Sequence, residues 1–266
     1  MRSMAPEHIS ASQVETYFMC GESYRRRYLE GEISPPGLAA VKGKSGHKVL
    51  ELNNKQKIAS RTDFPESHMK DIASDAVEEG FSEEVLLSGD ERSVGISKLK
   101  AATKDELISS IPAIMDSAKL VQPVQVEALQ EIHIPSVGKS IKYIMDVETE
   151  DGGIIDYKFT KAKKSKKDAD TNLGLSTYAL AYYAKHKEFP KGIALHNFVS
   201  GKSPRLNIVA TDRTYLDFKI VLKRFETAIT GIEAGVFTPA NSGHWKCDPR
   251  YCGYYRSCPY INTERK

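Results

Sequence analysis

Gly153-Ile154-Ile155-Asp156-Tyr157-Lys158 reads as a short apolar strand that ends in two opposite charges. Residues two apart on a strand project to one face, so Asp156 and Lys158 point the same way. Asp146 lies upstream, across a turn signalled by Asp151-Gly152. A tight hairpin there sets Asp146 on the adjacent antiparallel strand, opposite or nearly opposite Asp156. Two carboxylates so placed repel one another unless a cation lies between them. A divalent metal resolves the repulsion, and a lysine beside it can orient and activate a water. The pattern points to metal-dependent hydrolysis.

The triplet alone decides little, because acid-x-Lys also occurs at Asp217-Phe218-Lys219 and Glu264-Arg265-Lys266. The first falls in a helical pattern and the second at the end of the chain, so neither puts its charges at the end of a buried strand. The surroundings of Asp156 carry the reading.

Working outward, alternating apolar residues predict three strands of an antiparallel meander over 124–134, 141–149 and 153–160. A helix over 171–186, strands over 192–200 and 205–210, and a long helix opened by Asp212 and running to about Glu233 follow. Upstream, Ser10 and Gln13 form a capping-box signature for a helix that carries Val14, Tyr17, Phe18, Tyr24 and Tyr28 and ends near Gly31. After the break at Ser34-Pro35-Pro36-Gly37, a second helix over 38–57 carries Gly43, Gly46 and His47. The polar stretch from 59 to 121 reads as a helical insertion or lid. Gly37 to Lys44-Ser45 is not a phosphate-binding loop, since its glycine spacing is wrong and no strand precedes it.

With 40 % hydrophobic and 27 % charged residues, the chain has the make-up of a globular protein. It is expected to be one domain over 1–266, divided into N-terminal helices (8–58), the insertion (59–121), a core (122–234) and a cysteine-rich tail (235–266). No apolar run is long enough for a membrane span, and the first residues lack an apolar leader. A cytoplasmic location, or host-cell cytoplasm for a viral protein, is expected. The net charge of +3 is mild, but its distribution is not. Lys161, Lys163, Lys164, Lys166 and Lys167 follow directly on the Asp-Tyr-Lys strand, and Arg25, Arg26 and Arg27 cluster near the N-terminus. Beside a hydrolytic metal site, such runs suit a phosphate backbone, which makes DNA the expected partner.

Cys20 stands on the first helix, and Cys247, Cys252 and Cys258 cluster in the tail. Four cysteines without an export signal argue for a metal or cluster over disulfides. Three clustered thiolates are one ligand short of a cubane iron–sulfur cluster or a structural zinc, and Cys20 can supply the fourth. Zinc remains an alternative, although neither tail spacing is the usual two-residue pairing.

Together these residues resemble the RecB-like branch of the PD-(D/E)xK nuclease superfamily, in particular its iron–sulfur members of the AddB and CRISPR-adaptation type. The resemblance runs from Ser10 to Pro259, leaving out the insertion. It rests on Ile9-Ser10-Ala11-Ser12-Gln13 leading to Tyr17 and Cys20, on Gly43-x-x-x-His47, on Asp146, on Ile154-Ile155-Asp156-Tyr157-Lys158, and on the cysteine cluster. It departs at Gly174-Leu175-Ser176-Thr177-Tyr178, which keeps the tyrosine of a Gln-x-x-x-Tyr motif and has glycine for the glutamine. The four-residue spacing between the second and third cysteines, Cys247 and Cys252, also differs slightly from that of relatives, which often have two.

The resemblance implies an α/β (α+β) fold with a restriction-endonuclease-like core. Its mixed central sheet is flanked by helices and carries a helical insertion and a C-terminal tail stapled by a [4Fe-4S] cluster on Cys20, Cys247, Cys252 and Cys258. It implies a Mg²⁺- or Mn²⁺-dependent deoxyribonuclease, with exonuclease action expected. The metal would be held by His47, Asp146, Asp156 and the Tyr157 carbonyl, with Lys158 and Tyr178 completing the catalytic set. Glu127 or Glu131 on the preceding strand is a further candidate ligand. Lys161, Lys163, Lys164, Lys166, Lys167, Arg25 and Arg26 would meet DNA, and any unwinding would need a helicase or other recombination or replication partner. The alternative is a catalytically impaired DNA-binding or assembly subunit that keeps the fold.

Overall fold

The computed structural model describes residues 6–261; the Glu264-Arg265-Lys266 triplet lies outside them. His8–Ile9 (β1) leads into helix Ala11–Met19 (α1) through the expected capping box, in which Ser10 Oγ accepts from Gln13 N–H while Gln13 Oε1 accepts from Ser10 N–H. This helix does not run on to Gly31. It stops at Cys20, whose backbone is extended, and restarts as a short turn Gly21–Tyr24 (α2) and a π-helical turn Arg25–Leu29. The break has a distant cause. Gly21 N–H donates to Thr238 O at 2.7 Å, and a Cβ at Gly21 would lie 2.7 Å from Phe237 backbone atoms. The C-terminal tail docks its backbone where the helix would have continued.

Helix Leu38–Ser60 (α3) is followed by Glu66–Gly80 (α4), Gly89–Val94 (α5), Ile96–Ser109 (α6) and Ile111–Lys119 (α7). Strands Pro123–Ile134 (β2), Lys139–Thr149 (β3) and Gly153–Thr160 (β4) form the expected meander. A short helix Lys166–Asp170 (α8) takes up part of the lysine run, and helix Leu173–His186 (α9) leads to strands Gly192–Val199 (β5) and Arg205–Thr211 (β6). Helix Tyr215–Glu233 (α10) is capped by Thr214 with Asp217, not by Asp212. Between Asp212 and the helix, Arg213 is buried and donates to Ser176 Oγ, Thr211 Oγ1 and Ala169 O. Asp217 of the second acid-x-Lys triplet is thereby spent as a cap.

The six strands make one mixed sheet, with β2, β3 and β4 antiparallel, β4 and β5 parallel, and β6 antiparallel to β5. One core, with Val14, Tyr24, Ile141, Leu175, Leu195 and Phe225, packs α1, α9 and α10 on one face. The other, with Leu50, Met69, Ile114, Val147, Tyr157 and Phe198, packs α3, α4 and α7 on the opposite face. The stretch 59–121 is therefore not a lid but the layer that covers this second face. Each large apolar side chain sealed in these cores contributes about 1.5–3 kcal/mol. No helix among the described residues is long and apolar enough to cross a membrane.

Two features of β3 position the site. One edge pairs with β2 throughout, while the other is shared, with β1 at Ser140 and Ile141 and β4 at Val147 and Glu148. Among the described residues the segment between has no strand partner on that side, which leaves a slot in the sheet. The strand also turns over there. Met145 packs into the first core and Val147 into the second, although residues two apart on a regular strand share a face.

Candidate active site

Asp146 lies at that turnover. The β3–β4 ladder ends at Val147–Ile155, and one step further in the same register Asp146 faces Asp156 as expected. The strands separate at this point, and Asp146 Oδ2 fills the fork by accepting from Tyr157 N–H at 2.6 Å. A strand residue directs its N–H and C=O to the same edge, so the Tyr157 carbonyl is also turned toward the fork.

His47 comes from α3, with Nδ1 3.5 Å from Asp146 Oδ2 and 3.4 Å from Glu127 Oε1. Close packing on this helix falls on Gly46, not on Gly43 of the Gly-x-x-x-His pattern. A Cβ at Gly46 would lie 2.4 Å from the Phe159 ring, while one at Gly43 would meet open space in the cleft above His47. Glu127 reaches the site through an unusual backbone, φ +47°, on β2. Such a conformation is uncommon for a non-glycine residue and costs energy. It holds the carboxylate against His47 and Asp146. Glu131 instead points outward, 4.0 Å from Lys142 Nζ.

His47, Glu127 and Asp146 offer one nitrogen and two carboxylate oxygens within 4.8 Å of one another. Asp156 is not in that group. It is buried, with Oδ2 2.5 Å from Lys158 Nζ in an ion contact that lacks hydrogen-bond geometry. Burial and the Asp156 and Glu127 carboxylates push Asp146 up to about 7, against the pull of His47 and Lys158. Burial alone would depress His47, but Glu127 and Asp146 outweigh it and hold the imidazole above its ordinary value. Lys158 likewise stays charged despite burial, because Asp156 and Asp146 face it. A divalent cation relieves this excess of acid, and an N,O,O donor set accommodates Mn²⁺ as well as Mg²⁺. The residues fit the metal.

Tyr178 projects from α9 into the neighbouring cavity that Asp156 and Lys158 also line, its ring 6.1 Å from that of Tyr143, and burial pushes its hydroxyl well above the ordinary range. Glu15, on the first helix, lies at the rim close enough for Lys158 to feel its charge. Its sequence neighbourhood carries no acidic pattern that would single it out.

Arg25 and Arg26 are engaged in ion pairs and hydrogen bonds within the protein. Arg25 pairs with Glu22 at 2.8 Å and with Glu30, and Arg26 bonds Glu22 at 3.1 Å and Ser257 Oγ at 2.7 Å. Arg26 ties the π-helical turn to the tail, whereas Arg25 pairs only within the N-terminal segment. In the lysine run, Lys166 pairs with Asp170 at 2.7 Å and the Lys164 N–H donates to Asn197 Oδ1. Lys161, Lys163 and Lys167 are exposed.

The four cysteines converge where the tail meets the break after α1. Burial and then the neighbouring thiols Cys20, Cys252 and Cys258 push Cys247 up. No three of the four sulfurs lie within 4.8 Å of one another. A zinc tetrahedron with Zn–S near 2.3 Å needs S···S separations of about 3.8 Å. Four thiols are the donor set of a structural zinc and of an iron–sulfur cluster alike.

The chain belongs to the PD-(D/E)XK nuclease superfamily, whose family model matches residues 8–259. Among solved structures it is similar to the Eubacterium rectale protein named "Putative exonuclease", at 13 % identity and TM-score 0.58, over 97 % of this chain and 90 % of that one. A weaker likeness is to the structure of SSO0001, 12 % identical over 95 % of this chain and 96 % of that one, at TM-score 0.35. No curated protein matches the chain. The fold is the restriction-endonuclease-like mixed α/β core, a central mixed sheet flanked by helices.

Proposed function

We propose that this nuclease is a Mg²⁺- or Mn²⁺-dependent deoxyribonuclease that acts from DNA ends as an exonuclease. The observation that carries the reading is the fork between β3 and β4, where His47, Glu127 and Asp146 gather within 4.8 Å and Lys158 stands beside them. A bound divalent ion would supply an activated water and neutralise charge on the phosphate. His47, Glu127 and Asp146 would hold it, with Asp156 and the Tyr157 carbonyl adjoining. Asp156 keeps the Lys158 ammonium aimed into the cleft. Lys158 meets charge that builds on the phosphate oxygens, in a partly buried setting where such an interaction is strong. Lys161, Lys163 and Lys167 extend positive charge from the end of β4 for backbone contact.

Cys20, Cys247, Cys252 and Cys258 would hold a [4Fe-4S] cluster that staples the tail to the first helix, as in the RecB-like relatives of AddB type. A catalytically impaired DNA-binding subunit is favoured by one observation, glycine at 174 in place of a polar side chain beside Tyr178. Cleavage of labelled single- and double-stranded DNA with and without Mn²⁺ decides between the two. Wild-type protein should cut only with metal, and Asp146→Asn and Lys158→Ala should each lose more than a hundredfold while staying folded. Wild-type rates in both variants would overturn the assignment.

A further inference from the structure

We infer that the cavity beside Gly174 is a subsite for a single nucleotide, the one adjoining the phosphate that Lys158 faces, and that glycine at 174 keeps it open. This rests on the nuclease reading above and adds a substrate subsite to it.

The slot in the edge of β3, between the Ile141 pairing with β1 and the Val147 pairing with β4, opens into a cavity of about 560 Å³. That size encloses one small organic molecule. Its walls suit a nucleoside. Tyr143 and Tyr178 offer aromatic rings, Leu129 and Ile144 apolar surface, and Ser12 and Gln13 polar atoms at the rim. Aromatic faces hold bases by stacking with little regard to sequence.

Position fixes which nucleotide enters. Lys158 and Ile144 line both this cavity and the neighbouring cleft that holds His47, Glu127 and Asp146. A phosphate at Lys158 therefore has the cavity on one side and the cleft on the other. The cleft carries Lys44 and Lys48 beside His47, matched by Glu51, Glu127 and Asp146, so it would take continuing backbone once a divalent ion is bound. The cavity has only Lys142 as a second lysine, with Glu15 at its rim and Asp156 at its base. With the ligand group His47, Glu127 and Asp146 in the cleft and room in the cavity for one small molecule, the cavity takes the terminal unit of the strand.

Gly174 controls the space. A Cβ there would meet Asn172 Oδ1 at 3.1 Å and Tyr178 Oη at 4.0 Å and nothing else within 4 Å. A longer side chain would extend into the cavity. Glycine is a poor helix former, so helix propensity does not account for it in the first turn of α9; the close approach of Asn172 Oδ1 and the open volume beyond it do.

The test is titration of thymidine 5′-monophosphate into metal-free wild-type protein, Gly174→Ala, Gly174→Gln and Gly174→Trp, followed by calorimetry. Helix propensity favours the replacements, while the close approach to Asn172 Oδ1, the cap of α9, opposes them. Circular dichroism and the unfolding midpoint are therefore recorded for each variant, and Gly174→Gln serves if the tryptophan variant does not fold. Affinity should fall at least tenfold in Gly174→Trp, less in Gly174→Gln, and within threefold in Gly174→Ala. Absence of binding to the wild type, or equal binding by wild type and the bulky variants, overturns the subsite. Cleavage of an end-labelled oligothymidylate with Mn²⁺, run in parallel, separates the two readings. Wild-type cleavage with binding indifferent to residue 174 rejects only the subsite, whereas binding sensitive to residue 174 without wild-type cleavage supports the subsite and rejects the nuclease activity.

Discussion

Glu127 adopts a left-handed backbone, φ +47°, and thereby brings its carboxylate to 3.4 Å from His47 Nδ1 on another layer of the fold. The strand and the helix above it are joined through a strained residue and a shared acid–imidazole contact. Strain of this kind persists only where the surroundings over-determine it, and it gathers at functional sites.

The strain sets an unusual order of stabilities. In a regular strand alanine is more stable than glycine by about 0.5–1 kcal/mol. A left-handed conformation costs a non-glycine residue about 1–2 kcal/mol. Glu127→Gly should therefore exceed Glu127→Ala by about 1 kcal/mol in urea unfolding. Both variants should lose much of the rise in Tm that Mn²⁺ gives the wild type. Alanine equal to or above glycine would show that the backbone is not strained.

Gly46 and Gly43 lie on the same helix and should respond oppositely. A methyl group at Gly46 meets the Phe159 ring at 2.4 Å, next in sequence to Lys158 and one residue before His47 in its own helix. Overpacking of this kind costs about 1–3 kcal/mol, and here it also pushes His47 and Lys158 apart. Gly46→Ala should lower stability by about 2 kcal/mol and weaken Mn²⁺ stabilisation. Gly43→Ala meets no atom within 4 Å and should gain up to about 1 kcal/mol from helix propensity. Denaturant midpoints for the pair check the contrast.

His196 gives the protein an acid-sensitive point away from the active site. It is buried on β5, with Nδ1 2.6 Å from Ser117 Oγ and its ring edge-on to Tyr157. Burial depresses its pKa to about 4, below the ordinary value of 6.5. The folded state holds the neutral ring, so this stability is fully present above pH 6.5 and is lost as pH falls toward 4. The loss amounts to at most about 3 kcal/mol. His196→Gln should flatten that part of the stability–pH curve between pH 6.5 and 4. An unchanged acid limb would remove His196 as its source.

The parts of this architecture that follow local rules were legible in the sequence. The period of two put Asp156 and Lys158 on one face, and the Asp151-Gly152 turn fixed the register that sets Asp146 opposite Asp156. The Ser10–Gln13 capping box likewise needs only four residues. Glu127 and Glu131 looked equivalent because regular alternation gives them one face; only the distortion at Glu127 separates them. The break at Cys20 depends on Thr238, and the engagement of Arg26 depends on Ser257, both from the far end of the chain. Contacts of such separation leave no mark in the local pattern. The same holds for the helices of 59–121, whose polar composition suggested a lid although Met69, Ile111 and Ile114 seal the second core.

The tail offers the last prediction. Gly21 N–H bonds Thr238 O, Tyr17 Oη donates to Val236 O at 2.8 Å, and Arg26 holds Ser257, so the tail is anchored on either side of Cys20 before any cluster is considered. If the four thiolates share an iron–sulfur group, anaerobically purified protein should be brown and carry about four irons per chain. Cys20→Ser should lose the colour together with thermal stability, because one ligand comes from the helix break and three from the tail. The hydrogen-bonded anchors should nevertheless keep the tail in place, so protease resistance near residue 238 should fall only partly. Gly21→Ala attacks those anchors directly, since its methyl group would lie 2.7 Å from the Phe237 backbone. It should release the tail and bleach the protein even though all four cysteines remain. Stoichiometric zinc in a colourless protein would reject the iron–sulfur group, and full colour in Gly21→Ala would show that the cluster holds the tail without its backbone anchors.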